Sequence, residues 1–127
     1  MKDSDFKIMV MSAINKLLAQ GEQSTDFGTS GCMYRSSEGL CCIVGFMMDD
    51  ETAHKADSMG ESSVAYLIRD GLWGEDLTEL QVSQLVRLQG CHDFVDNIKP
   101  FNEEFIEAVK STYNLAWLAK ALKEQGE

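Results

Sequence analysis

Apolar residues recur at the helical period of 3.6 in several separated stretches, and this spacing limits the possible folds more than any other feature. Phe6, Val10, Ala13, Ile14, Leu17 and Leu18 mark one face of a helix over residues 5–20, which Gly21 is placed to stop. Asp49 or Asp50 predicts the N-cap of a short helix reaching about residue 57. Val64, Leu67 and Ile68 give an inward face to a helix over residues 61–70, with Gly71 at its end. Asp76 and Glu79 form a capping-box pattern ahead of Leu77, Leu80, Leu85 and Leu88, and Gly90 ends or bends that helix. Lys99-Pro100 breaks the chain. Asn102 then caps a last helical region faced by Phe105, Val109, Tyr113, Ala116, Ala119 and Leu122, with Asn114 as its dividing point.

One stretch departs from the helical pattern. Between Glu22 and Met48 only Glu22, Asp26, Arg35 and Glu38 are charged. Two short apolar runs, Cys32–Arg35 and Leu40–Val44, flank Ser36-Ser37-Glu38-Gly39, a turn signal with glycine where a left-handed residue is often required. This predicts a β-hairpin whose register is open. The expected fold is therefore mainly α with a small β-hairpin (α+β), a single compact domain of about five helices over residues 1–127.

At 127 residues and 44% hydrophobic content the chain is long enough to bury one core without staples. Eleven Lys and Arg against 21 Asp and Glu give a charge of −10, which argues against gripping nucleic acid over a broad face. No 18-residue apolar run suggests a membrane span. The first residues, Met1-Lys2-Asp3-Ser4-Asp5, lack the basic and apolar stretches of a secretory signal, so a cytoplasmic, reducing location is expected. Cys32, Cys41, Cys42 and Cys91 then read as thiols, small and buried. Their spacing is poor for zinc, although a zinc site with His92 and a redox-sensing Cys41 or Cys42 stay as alternatives. An EF-hand starting at Asp49 fails because His54 stands where glycine is needed. A hydrolytic metal site from Asp50, His54 and Asp57 is a further alternative. No cofactor is implied.

Arg35 is the sole cation between Lys16 and Lys55. A guanidinium in so neutral a stretch either pairs with Asp50, Glu51 or Asp93, or clamps an anionic ligand with Tyr34 beside it. His92 and Asp93 suggest a base and its orienting partner, but neighbours on a helix point about 100° apart, which favours a histidine that caps or packs. Phe46-Met47-Met48 is an apolar knuckle suited to core packing or to adaptable protein binding.

The segment Cys32-Met33-Tyr34-Arg35 through Gly45 to Asp50-Glu51 resembles a family of small uncharacterised bacterial and phage proteins. Their pattern is C-x-Y-R, a short turn, G-L-x-C-A-V-G, two apolar residues and a D-E pair. The matching positions are Cys32, Tyr34, Arg35, Gly39, Leu40, Cys42, Val44, Gly45, Asp50 and Glu51, with Ile43 departing where the family has Ala. Met59-Gly60-Glu61, Leu85–Asp93 and Leu118–Leu122 resemble further elements of it. The resemblance brings no activity. It implies that Tyr34, Arg35, His92 and Asp93 form one constellation, and it implies a phage or mobile-element origin.

Three functional classes follow. The leading one is a small acidic, non-enzymatic interaction protein acting on a host protein in the host cytoplasm, a homo-oligomer being compatible with it. A second is a module that sequesters a small anionic, nucleotide-type ligand through Tyr34, Arg35, Asp50, Glu51, His92 and Asp93. The third is a small hydrolase pairing Cys32, Cys42 or Cys91 with His54 or His92, or using Asp/His chemistry. Direct nucleic-acid and membrane contacts are not expected.

Overall fold

The periodic stretches are helices in the computed structural model, which describes residues 1–24, 33–36, 39–58, 64–69, 71, 73–74, 76–95 and 98–125. Six α-helices follow in order among these: α1 Asp3–Gln20, α2 Asp50–Ser58, α3 Val64–Arg69, α4 Glu79–Asp93, α5 Phe101–Lys110 and α6 Ala116–Gln125. Short 3-10 turns over Gly45–Met47 and Tyr113–Leu115 join the second and sixth helices to what precedes them.

Helix α1 buries Phe6, Val10, Ala13, Ile14 and Leu17. Full burial of each large side chain contributes about 1.5–3 kcal/mol, so one apolar face holds the helix in place. The helix stops at Gly21, where φ is 72° and the amide donates to the Leu17 carbonyl at 2.9 Å. Asp49 caps α2 by accepting from the Thr52 amide at 2.7 Å. The core cluster draws on every helix, with Phe6, Leu67, Leu85, Phe105 and Leu118 among its fully buried members.

Two helix starts and the placing of Tyr113 differ from expectation. The capping box of α4 is Thr78 with Gln81 rather than Asp76 with Glu79. Gln81 is selected because its amide nitrogen also donates to the Met1 carbonyl at 2.8 Å, a tertiary contact that local pattern does not reveal. Asp76 instead faces the terminal amine, which donates to its carbonyl. At α5 the N-cap is Pro100, while the Asn102 amide donates to the Leu18 carbonyl at 2.9 Å and ties α5 to the end of α1. The last helical region does divide, at Ser111–Leu115, and the 3-10 turn there resets the register. Tyr113 consequently points outward, 77% exposed, instead of joining Phe105 and Val109 in the core.

The expected β-hairpin is not seen among the described residues. Among the described residues there is no strand, only one antiparallel bridge between Arg35 and Cys41. A tight turn closes it, with the Ser36 amide on the Leu40 carbonyl at 2.8 Å and the Gly39 amide on the Ser36 carbonyl at 3.0 Å. Side chains have taken the groups a ladder would pair. Gln20 reads the Cys41 backbone in both directions at 2.9 Å. The Asp57 carboxylate accepts the Tyr34 and Arg35 amides, both at 2.9 Å. Beyond Cys42 the chain coils into its 3-10 turn, so the apolar run Leu40–Val44 is spent on a buried turn rather than a strand. Cys32, Ser37 and Glu38 lie outside the described residues.

Candidate functional site

The six residues singled out in the sequence fall into two clusters, on either side of the turn Cys42–Gly45. In the first, Arg35 aims its guanidinium at carbonyls at both ends of the 3-10 turn and at the Tyr34 carbonyl. Its Nη2 donates to the Met48 carbonyl at 3.0 Å, and Nη1 donates to the Gly45 and Tyr34 carbonyls. Nε meets the exposed Asp50 carboxylate at 3.2 Å. The cation therefore gathers three backbone carbonyls of an irregular crossing, of which Gly45 also accepts the Met48 amide at 3.3 Å, a task suited to the planar fork of Arg. Asp50 is the carboxylate it pairs with. Glu51 turns away to Lys55, one helical turn on, at 3.4 Å. The Tyr34 ring is buried in the core, 3% exposed.

Gly45 lets the two backbone segments of this crossing touch. A Cβ on it would clash with the Tyr34 carbonyl oxygen and crowd Arg35 Nη1. No side chain fits there.

The second cluster is at the end of α4. His92 is wholly buried, its ring edge-on to Phe101 at 5.7 Å. The Ser24 amide donates to Nε2 at 3.0 Å, which leaves Nδ1 to carry the ring proton and donate to Asp93 at 2.7 Å. The expectation that these neighbours on a helix cannot pair is thus corrected. Asp93 is the last residue of α4, and there its carboxylate folds back onto the ring. Gln89 completes the network, donating to Asp93 at 2.7 Å and accepting from the Val44 amide at 3.3 Å. Gln23 donates to the His92 and Asp93 carbonyls. The pair has the form of a hydrolase's base and orienting acid, but the place of a nucleophile is held by a backbone amide; the Ser24 hydroxyl donates instead to the Leu40 carbonyl at 3.1 Å.

Two buried thiols, Cys42 and Cys91, are held protonated by the fold. Burial pushes the Cys42 thiol far above the usual range, with the Asp93 charge adding to it, and Sγ accepts from the Gly45 amide at 3.3 Å. Burial also raises Cys91, which lies 3.6 Å from the Thr112 hydroxyl. Hydrogen bonds from Thr52, reinforced weakly by Arg35, hold Asp49 below the ordinary carboxylate range. Among the described residues no group of three or more His, Cys, Asp or Glu converges as metal ligands. Asp50 and Asp57 are both engaged by the segment 34–35.

Sequence reasoning missed Gln20 and Gln23, which carry no motif and act through long-range contacts; it read Asp57 only as a metal-ligand candidate and Gln89 only as part of the Leu85–Asp93 resemblance. It also missed a surface. The α4 face assigned inward includes Leu80, which is 63% exposed, whereas Leu85 and Leu88 are buried as expected. On the opposite side Val82, Val86, Gly90 and Phe94 follow one another at intervals of four and line an open groove of about 720 Å³. That second stripe was visible in the sequence as a spacing. Among the described residues no helix is long and apolar enough to cross a membrane.

No family profile, curated protein or solved structure matches the chain. The functional reading accordingly rests on its own residues.

Proposed function

We propose that the chain is a small acidic, non-enzymatic binding protein that acts by contacting a host protein. The observation that carries this reading is a contrast between reactive polar side chains engaged within the fold and large apolar side chains left at the surface. Arg35, His92, Asp93 and Cys42, the side chains with most chemical potential, bond to the fold itself. Meanwhile Leu80, Val86, Phe94, Ile98 and Tyr113 stand exposed on or beside α4 and α5. Large apolar side chains clustered at a surface favour burial against another molecule. The net charge of −10 favours a partner with a basic surface and speeds the encounter with it. The resemblance to small phage proteins adds the proposal of a phage or mobile-element origin.

Native mass spectrometry of the chain purified gently from its own host tests this. A stoichiometric complex with a second protein, weakened by salt, is the expected spectrum. A bound small molecule lost on denaturation, with binding abolished by Arg35→Ala and the fold intact, would replace this reading with that of an anion-binding module.

A further inference from the structure

Helix α4 lies at the bottom of a trough. Its outward stripe of Val82, Val86, Gly90 and Phe94 forms the floor, and Ala65 of α3 and Ala108 of α5 stand at the walls. A second hollow of about 270 Å³ continues past Phe94 towards α5, sharing Gly90 and Ala108 with the first. Phe94 is 87% exposed and Val86 41%. Such a trough has the shape and spacing that accept one face of a helix.

Two independent features indicate what fills it. The first is Gly90, near the C-terminal end of α4 where the two hollows meet. Its φ is not in the left-handed region, and a Cβ there would find only ordinary contact with the Phe94 ring, at 3.7 Å and 3.8 Å. The fold does not need a glycine, and helices disfavour it. A missing side chain at the junction does let an incoming backbone come close. The second feature is charge. Glu79 lines one end of the trough and Glu104 and Glu107 the other, where Glu107 also meets Lys99 at 3.1 Å and Glu104 accepts the Ile98 and Lys99 amides; Arg87, lying against the Tyr113 ring at 5.4 Å, is the single cation among the described lining residues. The chain as a whole carries 21 acidic against 11 basic residues, so the surroundings of the trough favour a cationic partner.

From these we infer that the α4 trough receives a basic amphipathic helix of a partner protein, its apolar face on Val86 and Phe94 and its cations towards the glutamates at either end. The inference rests on the binding-protein reading and names the surface and partner chemistry of that reading.

A fluorescent Leu/Lys peptide of about 18 residues, with leucines at helical spacing, is the probe, set against a scrambled Leu/Lys peptide and a Leu/Glu peptide. The full chain is expected to bind the Leu/Lys helix saturably, one to one, at least tenfold more tightly than either control. Gly90→Leu, which fills the junction, and Phe94→Ser, which removes an exposed anchor, are each expected to weaken it at least tenfold. Circular dichroism and melting temperature check that both variants remain folded. Equal binding of the scrambled peptide, or binding that neither variant weakens, would overturn the inference. So would concentration-dependent dimerisation, in sedimentation velocity, that Phe94→Ser abolishes, because the occupant would then be a second copy. Co-purification separates the two claims. A host partner retained equally by wild type and Phe94→Ser sinks the trough while leaving the binding-protein reading in place.

Discussion

Residues 33–57 and the outward face of α4 treat their side chains in opposite ways. In the first region polar groups are consumed by the fold: one carboxylate holds two amides, one guanidinium holds three carbonyls, and one carboxamide reads both sides of Cys41. In the second, apolar side chains are left to water although the helix beneath them is well buried on its other side. The difference follows from backbone supply. A helix satisfies its own peptide groups, so α4 has side chains to spare. An irregular crossing does not, and it recruits Arg35, Asp57 and Gln20 to do what a ladder would otherwise do. Residues that look chemical in a sequence are therefore best judged against the hydrogen-bonding needs of the backbone beside them.

The sharpest way to break the comparison is at Gly45. Gly45→Ala should destabilise the chain by about 3–5 kcal/mol, since the methyl meets backbone rather than a movable side chain. Urea denaturation measures it, and a cost under about 1 kcal/mol would show the crossing to be pliable rather than tightly bound. The two carboxylates on this segment come next. Asp57→Ala leaves two amides without their acceptor and should cost about 2–3 kcal/mol, whereas Asp50→Ala removes an exposed partner and should cost less than about 1 kcal/mol. Similar losses for both would deny that Asp57 acts as the anchor.

Titration of Cys42 gives a third, smaller effect. Its folded thiol is raised above the ordinary 9.0, so it stays protonated where the unfolded thiol ionises. The contribution is fully present below pH 9 and declines above it, by about 1.4 kcal/mol per pH unit. Stability measured from pH 8 to 10 should fall less steeply in Cys42→Ala than in the parent. At the small end, Gly90→Ala should raise stability by about 0.5–1 kcal/mol, because the helix gains and the trough has room. A loss of stability there would mean that the fold itself requires the glycine, and the contrast between the two regions would weaken.

Much of the architecture was legible beforehand. The 3.6-residue spacing of Phe6, Val10 and Leu17, the left-handed stop at Gly21 and the Asp49 cap are local properties, and local sequence dictates them through sterics and short-range hydrogen bonds. The pairing of Arg35 with Asp50 was among the alternatives for the same reason, since few charges compete nearby. Tertiary structure alone decided the rest. Whether Leu40–Val44 became a strand depended on Gln20 reaching Cys41, and on Asp57 reaching Tyr34 and Arg35 opposite it, from other helices. Whether His92 faced water, a ligand or Ser24 depended on a contact 68 residues apart in the chain. Periodicity and caps are written in neighbouring residues. The partner that a buried amide or a ring nitrogen finds is chosen only when distant segments meet and each unsatisfied group becomes costly to bury.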